Sequence, residues 1–122
     1  MSKKVLVVDD SATVRQQVGS ALTQAGFTVI EAVDGVDGAA RIEATADLAL
    51  VICDVNMPRM NGLEMLEAVR SRPSAASMPI IMLTTEGDPS LVARAKQAGA
   101  KGWIVKPFKP ELLVAAAKKL AV

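Results

Sequence analysis

The sequence predicts an α/β fold: a doubly wound, five-stranded parallel sheet with five covering helices. Three observations carry this. Short apolar runs alternate with longer segments of helical periodicity along the whole chain, the pattern of a parallel sheet with crossover helices. The runs are rich in Val, Ile and Leu and lack strict polar alternation, as strands buried on both faces do. The chain has 122 residues, 51% apolar and 22% charged, enough for one core and too few for two.

The elements follow in order. Val5–Val8 reads as the first strand. A helix comes next, with Val14, Val18, Leu22 and Ala25 at helical spacing and Gly26 where a C-terminal cap belongs. Phe27–Ala32 reads as the second strand and Val36–Ala44 as the second helix. Leu48–Cys53 is the third strand, and Leu63, Leu66 and Val69 mark the third helix. Pro79–Leu83 is the fourth strand. Asp88-Pro89 supplies an N-cap and a first-turn proline for the fourth helix, which closes at Gly99. Gly102–Val105 is the fifth strand, and Pro110 opens a last helix carrying Leu112, Leu113, Ala116 and Leu120. The echo between Gln24-Ala25-Gly26 and Gln97-Ala98-Gly99 is two helix endings, not a repeat. With no linker or low-complexity stretch, a single domain over residues 1–122 without an output domain is expected.

Composition removes several function classes. Lys plus Arg is 14 and Asp plus Glu is 13, a net charge of +1, which argues against a nucleic-acid binder driven by phosphate neutralisation. There is no histidine, hence no His-based acid–base catalysis and no Ser–His or Cys–His pair. A single cysteine, Cys53, excludes an internal disulfide and a thiol-rich zinc site. Any metal is therefore held by oxygen, as Mg²⁺, Mn²⁺ or Ca²⁺ is. The aromatics are Phe27, Trp103 and Phe108, too few for a base-stacking platform. No apolar run reaches signal-peptide or membrane-spanning length. The expectation is a cytoplasmic monomer with no nucleic-acid or membrane partner.

The polar residues after the strands carry the chemistry. Asp9 and Asp10 follow the first strand, Asp54 the third, Thr84 the fourth and Lys106 the fifth. In a parallel sheet these positions share one edge, where open α/β sheets bind their ligands. Singly, each has an ordinary explanation: Asp9-Asp10-Ser11 as a helix cap, Asp54 as a turn residue, Thr84 as a strand-end hydroxyl and Lys106 as a solvated lysine. Their shared placement is what points to a site. Three neighbouring carboxylates repel unless cations compensate, and a divalent ion with Lys106 supplies that compensation. Such a set suits phosphoryl transfer. A carboxylate is also a competent nucleophile, giving an aspartyl phosphate. Asp54, alone at a central strand end, is the best candidate for it, leaving Asp9 and Asp10 to the metal.

At this point the chain resembles the bacterial response-regulator receiver domain, most nearly the stand-alone chemotaxis type. The resemblance rests on Val7-Val8-Asp9-Asp10-Ser11, Cys53-Asp54-Val55-Asn56-Met57-Pro58, Met82-Leu83-Thr84-Thr85 and Val105-Lys106-Pro107-Phe108, and covers nearly the whole chain. It implies the flavodoxin-like strand order 2-1-3-4-5, for which the chemotaxis member of this family is itself a standard example. It implies a phosphorylation-activated switch that takes a phosphoryl group from a phosphohistidine kinase in trans onto Asp54. Asp10, Asp54 and the Asn56 backbone carbonyl would bind Mg²⁺ (or Mn²⁺) directly, and Asp9 through water. Thr84 and Lys106 would contact the phosphoryl oxygens, and Trp103 would be the switch aromatic, a position more familiar as Tyr or Phe. Asn56 and Glu86 would tune loss of the phosphoryl group, and the Lys106–Pro107 peptide would be cis. The protein would not be a conventional enzyme, catalysing only its own phosphorylation and slow dephosphorylation. Its partners would be a chemotaxis-type histidine kinase, an effector such as a flagellar motor switch protein or other motility protein, and a phosphatase.

Other readings stand beside this one. A phosphate sink or phosphorelay intermediate would have the same site without its own effector. A flavodoxin-like FMN carrier needs a hydroxyl-rich phosphate loop and aromatics around the flavin, whereas the first loop here begins with two aspartates. An aspartate-nucleophile phosphatase of the haloacid-dehalogenase type places its Asp-x-Asp after the first strand, a pattern absent here.

Overall fold

The computed structural model describes residues 3–72, 77–85 and 87–121. The elements are β1 (Lys4–Val8), α1 (Ala12–Gln24), β2 (Thr28–Ala32), α2 (Gly35–Ala44), β3 (Leu48–Cys53), α3 (Gly62–Arg70), β4 (Ile80–Thr84), α4 (Pro89–Gln97), β5 (Gly102–Val105) and α5 (Pro110–Leu120). The strands form one parallel sheet in the order β2-β1-β3-β4-β5. The chain reverses direction across the sheet between β1 and β3, so the edge beyond Val8 and Cys53 is the crevice of a doubly wound fold.

Burial follows strand alternation. Leu6, Val8, Val51, Cys53, Ile80 and Met82 face the core beneath α2, α3 and α4. Val5, Val7, Leu50, Ile52, Ile81 and Leu83 face the core beneath α1 and α5. The sheet is thus buried on both sides, which explains strands without polar alternation. A register shift against β3 at Lys4/Val5 leaves Ala49 unmatched, and the in–out alternation of β3 slips there by one residue.

Local chemistry sets the helix ends. Ser11 caps α1 by accepting from the Val14 amide, and Asp34 caps α2 by accepting from Asp37. Asn61 and Glu64 form a reciprocal capping box on α3. Asp88 caps α4, with Pro89 in its first turn. Beyond α1 and α4 the chain turns through Gly26 and Gly99 at φ of 97° and 90°, backbone that glycine enters without a steric penalty.

Two arginines tie α3 to α4. Arg94 makes a two-pronged pair with Glu67 at 2.9 and 2.7 Å. Arg70 donates to the carbonyls of Ala98 and Gly99, each at 3.0 Å.

The structure shifts three sequence assignments. Phe27 precedes β2 and packs partly buried on the α1/α5 side. Pro79 lies before β4, whose last residue is Thr84; a proline has no amide to give the ladder. Leu112 is 62% exposed while its neighbour Leu113 is fully buried. Successive residues of a helix point about 100° apart, and Leu113 with Ala117 already fills the inner face of α5.

Candidate functional site

Asp9 and Asp10 extend β1, Asp54 extends β3, Thr84 ends β4 and Lys106 extends β5. β1, β3 and β4 are buried between the two cores and fix Asp9, Asp10, Asp54 and Thr84, while Lys106 extends the partly buried edge strand β5. The Asp54 amide donates to the Val8 carbonyl and the Asp9 amide to Ala32, continuing the ladders into the site.

The Lys106 ammonium bridges two carboxylates. Its Nζ lies 2.9 Å from Asp9 Oδ2 and 3.2 Å from Asp54 Oδ2. The other oxygens are also engaged: Asp9 Oδ1 accepts from the Ser11 amide and Asp54 Oδ1 from the Val55 amide. Asp9, Asp54 and Thr84 are buried, whereas Asp10 is exposed at the mouth. Among the described residues no buried side-chain nitrogen or oxygen lacks a hydrogen-bond partner.

Burial pushes the Asp9 carboxyl above its ordinary range, with the Asp54 charge adding to the effect; the bonds from Lys106 and Ser11 oppose it but do not win. For Lys106 burial acts to lower the ammonium, yet the bond to Asp9 and the charges of Asp9 and Asp54 outweigh it and raise the net value. The group is therefore cationic at neutral pH. Cys53, wholly buried beside these carboxylates, is pushed well up, so it stays a thiol and acts as a small apolar core residue.

The carboxylates suit a hard cation. Asp9, Asp10 and Asp54 each offer an oxygen, and those oxygens lie within 4.8 Å of one another. An octahedral Mg²⁺ at about 2.1 Å from its ligands needs oxygens about 3–4 Å apart, a small adjustment from what the three side chains present. An ion there would also offset the burial and the neighbouring Asp54 charge that together raise Asp9.

The other predicted residues lie in the loops and strands as follows. Asn56 is exposed in the loop after Asp54. The Lys106–Pro107 peptide is cis. Trp103 is the second residue of β5, not the last, paired with Met82 while Thr84 pairs with Val105. Its indole is half-buried against the α2–α4 core. Glu86 lies outside the described residues. From Thr85 and Lys106 an open groove of about 840 Å³ runs along α1, lined by Val14, Gln17, Phe108 and Pro110 among others.

Sequence reasoning missed two arginines that frame the site. Arg15 donates to the Asp9 carbonyl at 2.7 Å and to Glu31 at 2.9 Å. Arg59 pairs with the buried Asp34. Arg15 sits one helical turn after the Ser11 cap, a spacing that points it back at the first loop; nothing in the sequence flags Arg59. No helix among the described residues is long and apolar enough to cross a membrane.

Residues 5–118 match the response regulator receiver domain family. Chemotaxis protein CheY1 of Helicobacter pylori is 45% identical over 111 residues, 90% of each chain. The solved structure of Vibrio cholerae chemotaxis protein CheY4 is 42% identical with a TM-score of 0.91, covering 98% of this chain and 99% of that one. A Borrelia burgdorferi CheX–CheY complex with BeF₃ and Mg²⁺ contains a chain 28% identical to this one, with a TM-score of 0.91, covering 98% of this chain and 90% of that one. Strand order, strand-end carboxylates and sequence likeness over nearly the whole length converge: this chain belongs to the response regulator receiver domain family.

Proposed function

We propose that the protein is a phosphorylation-activated signalling switch of chemotaxis, in which Asp54 accepts a phosphoryl group from a phosphohistidine kinase. The observation that carries this is the Lys106 ammonium set between the Asp9 and Asp54 carboxylates, with Asp10 alongside, in a chain 45% identical to a chemotaxis CheY1.

Asp54 is the nucleophile. A carboxylate oxygen forms a bond to phosphorus while the bond from phosphorus to the donor's imidazole nitrogen breaks, and the imidazole leaves on the partner. With no histidine in this chain, the donor is a separate protein. Asp10, Asp54 and the Asn56 carbonyl would hold Mg²⁺ directly and Asp9 through water, with Mn²⁺ able to substitute. The ion supplies charge neutralisation for the phosphoryl oxygens.

Once Asp54 is converted to its acyl phosphate it no longer offers Lys106 a free carboxylate. The ammonium pairs instead with a phosphoryl oxygen, and the Thr84 hydroxyl closes on another. The modification adds about −1.5 to −2 charge and three acceptor oxygens, and pulling Thr84 inward remodels the surface around Trp103, α4 and α5 for an effector. Asn56 and Glu86 set how long the phosphoryl group lasts. The chain works in the cytoplasm as a monomeric single domain, meeting kinase, effector and phosphatase in turn.

Labelling tests this. Wild type incubated with radiolabelled acetyl phosphate and Mg²⁺ should take up label that base and hydroxylamine remove, as they do from an acyl phosphate. Chelation should prevent it and Mn²⁺ restore it. Asp54→Asn should take up none; undiminished labelling of that variant would sink the assignment.

A further inference from the structure

Arg59 is the only non-glycine among the described residues with a left-handed backbone, at φ 64°. A residue bearing a Cβ stays in that region only when its surroundings hold it there. Asp34 does so. Arg59 Nε lies 2.7 Å from Asp34 Oδ2 and a terminal nitrogen lies 3.1 Å from Oδ1, the two-pronged match of guanidinium to carboxylate. Asp34 is buried at 4% exposure and is itself fixed, since its Oδ1 caps α2 through the Asp37 amide at 2.8 Å.

A second tie lies next to the first. The Gly35 amide donates to the Met60 carbonyl at 3.0 Å, and a Cβ on Gly35 would overlap that same oxygen. Residues 59 and 60 are thereby fastened to the first turn of α2. At the opposite end of the loop, the Asp54 amide is bonded to Val8, and the Val55 carbonyl accepts from Gly62 at 2.9 Å. Only residues 56–58 span the interval between these anchors, and Asn56 is among them.

We propose that Arg59 is a positioning residue for the metal: by locking onto Asp34 it fixes the far end of the loop that bears the Asn56 carbonyl, so the oxygen donors stand ready before the ion arrives. The inference rests on the metal reading given above. It explains why a strained backbone is kept at this position, where glycine would be unstrained. The loop is held by an ion pair that glycine cannot make.

Mn²⁺ alone is the probe, with binding read from the electron paramagnetic resonance signal of the free aquo ion. Arg59→Ala, Arg59→Gly and Asp34→Asn should each weaken Mn²⁺ binding about tenfold, the lower end of what partners behind metal ligands contribute. Asparagine still caps α2, so Asp34→Asn spares the helix. The double variant Asp34→Asn/Arg59→Gly should be no weaker than either single one, because both remove the same contact. Arg59→Gly should melt higher than Arg59→Ala, since glycine relieves the left-handed strain, yet bind Mn²⁺ no better; a purely structural role would restore both together. Long-range charge alone would tighten Mn²⁺ binding in Arg59→Gly and weaken it in Asp34→Asn, whereas positioning weakens both. Wild-type or tighter binding in Arg59→Gly, or additive losses in the double variant, overturns the inference and leaves the metal site standing. A wild-type protein that binds no Mn²⁺, or binds it unchanged after Asp10→Ala, overturns the metal reading instead.

Discussion

Gly62, the first residue of α3, lies directly against the backbone of Asp54. A Cβ in its place would overlap the Asp54 carbonyl oxygen and come within 2.9 Å of the Met82 methyl. Glycine is required here by close approach, and the approach is to the residue proposed to be phosphorylated. Gly62→Ala should therefore force backbone to move at a cost of about 1–3 kcal/mol, as overpacking does, and should slow labelling of Asp54. Urea denaturation and acetyl-phosphate labelling read the two effects. A variant as stable and as readily labelled as wild type contradicts the packing argument.

The two leucines at the start of α5 should behave in opposite ways. Leu113→Ala empties a fully buried site and should cost about 2–5 kcal/mol. Leu112→Ala removes a side chain that is 62% exposed and should stay within about 0.5 kcal/mol of wild type. Equal losses by chemical denaturation would show that Leu112 is covered in solution.

Trp103 is the only tryptophan, so emission reports one place. It is half-buried beside a small cleft formed with Val92, Ala95 and Ala100. Its strand neighbour Val105 pairs with Thr84. Movement of Thr84 toward a phosphoryl group should draw the indole further in. Beryllofluoride with Mg²⁺ should shift the emission maximum to the blue and reduce quenching by iodide, with no response in Asp54→Asn. Equal accessibility with and without the mimic assigns Trp103 a static packing role.

Asp34 also makes a pH prediction. The bond from Arg59, joined by the Asp37 amide, holds its carboxyl below the ordinary range, against a smaller opposing effect of burial. A carboxyl lowered on folding contributes stability that is fully present above its unfolded pKa of about 3.9 and fades as pH falls through the folded value. The stability gap between wild type and Asp34→Asn should be constant from about pH 7 to 5 and shrink below about pH 4, read by urea titration at each pH. A gap that widens on acidification reverses the sign and rules the pairing out as its source.

The strands, the starts of α1, α4 and α5 and the strand-end residues were legible in the sequence because each is a local signal; the Asp34 cap and the Asn61–Glu64 capping box were missed. Asp88-Pro89 reads as a helix start wherever it occurs, and a carboxylate following an apolar run needs only the parallel topology to reach its partners. What was not legible is what topology alone leaves open. Arg59 and Asp34 are 25 residues apart and meet through the path of one loop. Leu112 and Leu113 have the same chemistry, and only the angle of α5 on the sheet decides which is covered. Thr84 ends its strand instead of following it because it still pairs with Val105 of β5 and its carbonyl accepts from the Lys106 amide, a long-range match that no local signal announces.

The ties from Arg70 and Arg94 give α4 mechanical asymmetry. Arg94 lies in its far half, and Ala98 and Gly99 follow directly on its last turn, while its near end at Asp88 and Pro89 follows the strand that carries Thr84. The helix is therefore a cantilever about 13 Å long, from nine residues at the α-helical rise, pinned to α3 at its far end and joined to the loop after β4 at its near one. Under the phosphorylation proposed above, a displacement at the end of β4 would turn this arm about the arginine pivot. Travel would then be greatest at its near tip and least where it is tied to α3, so one end of α4 could shift without loosening the other.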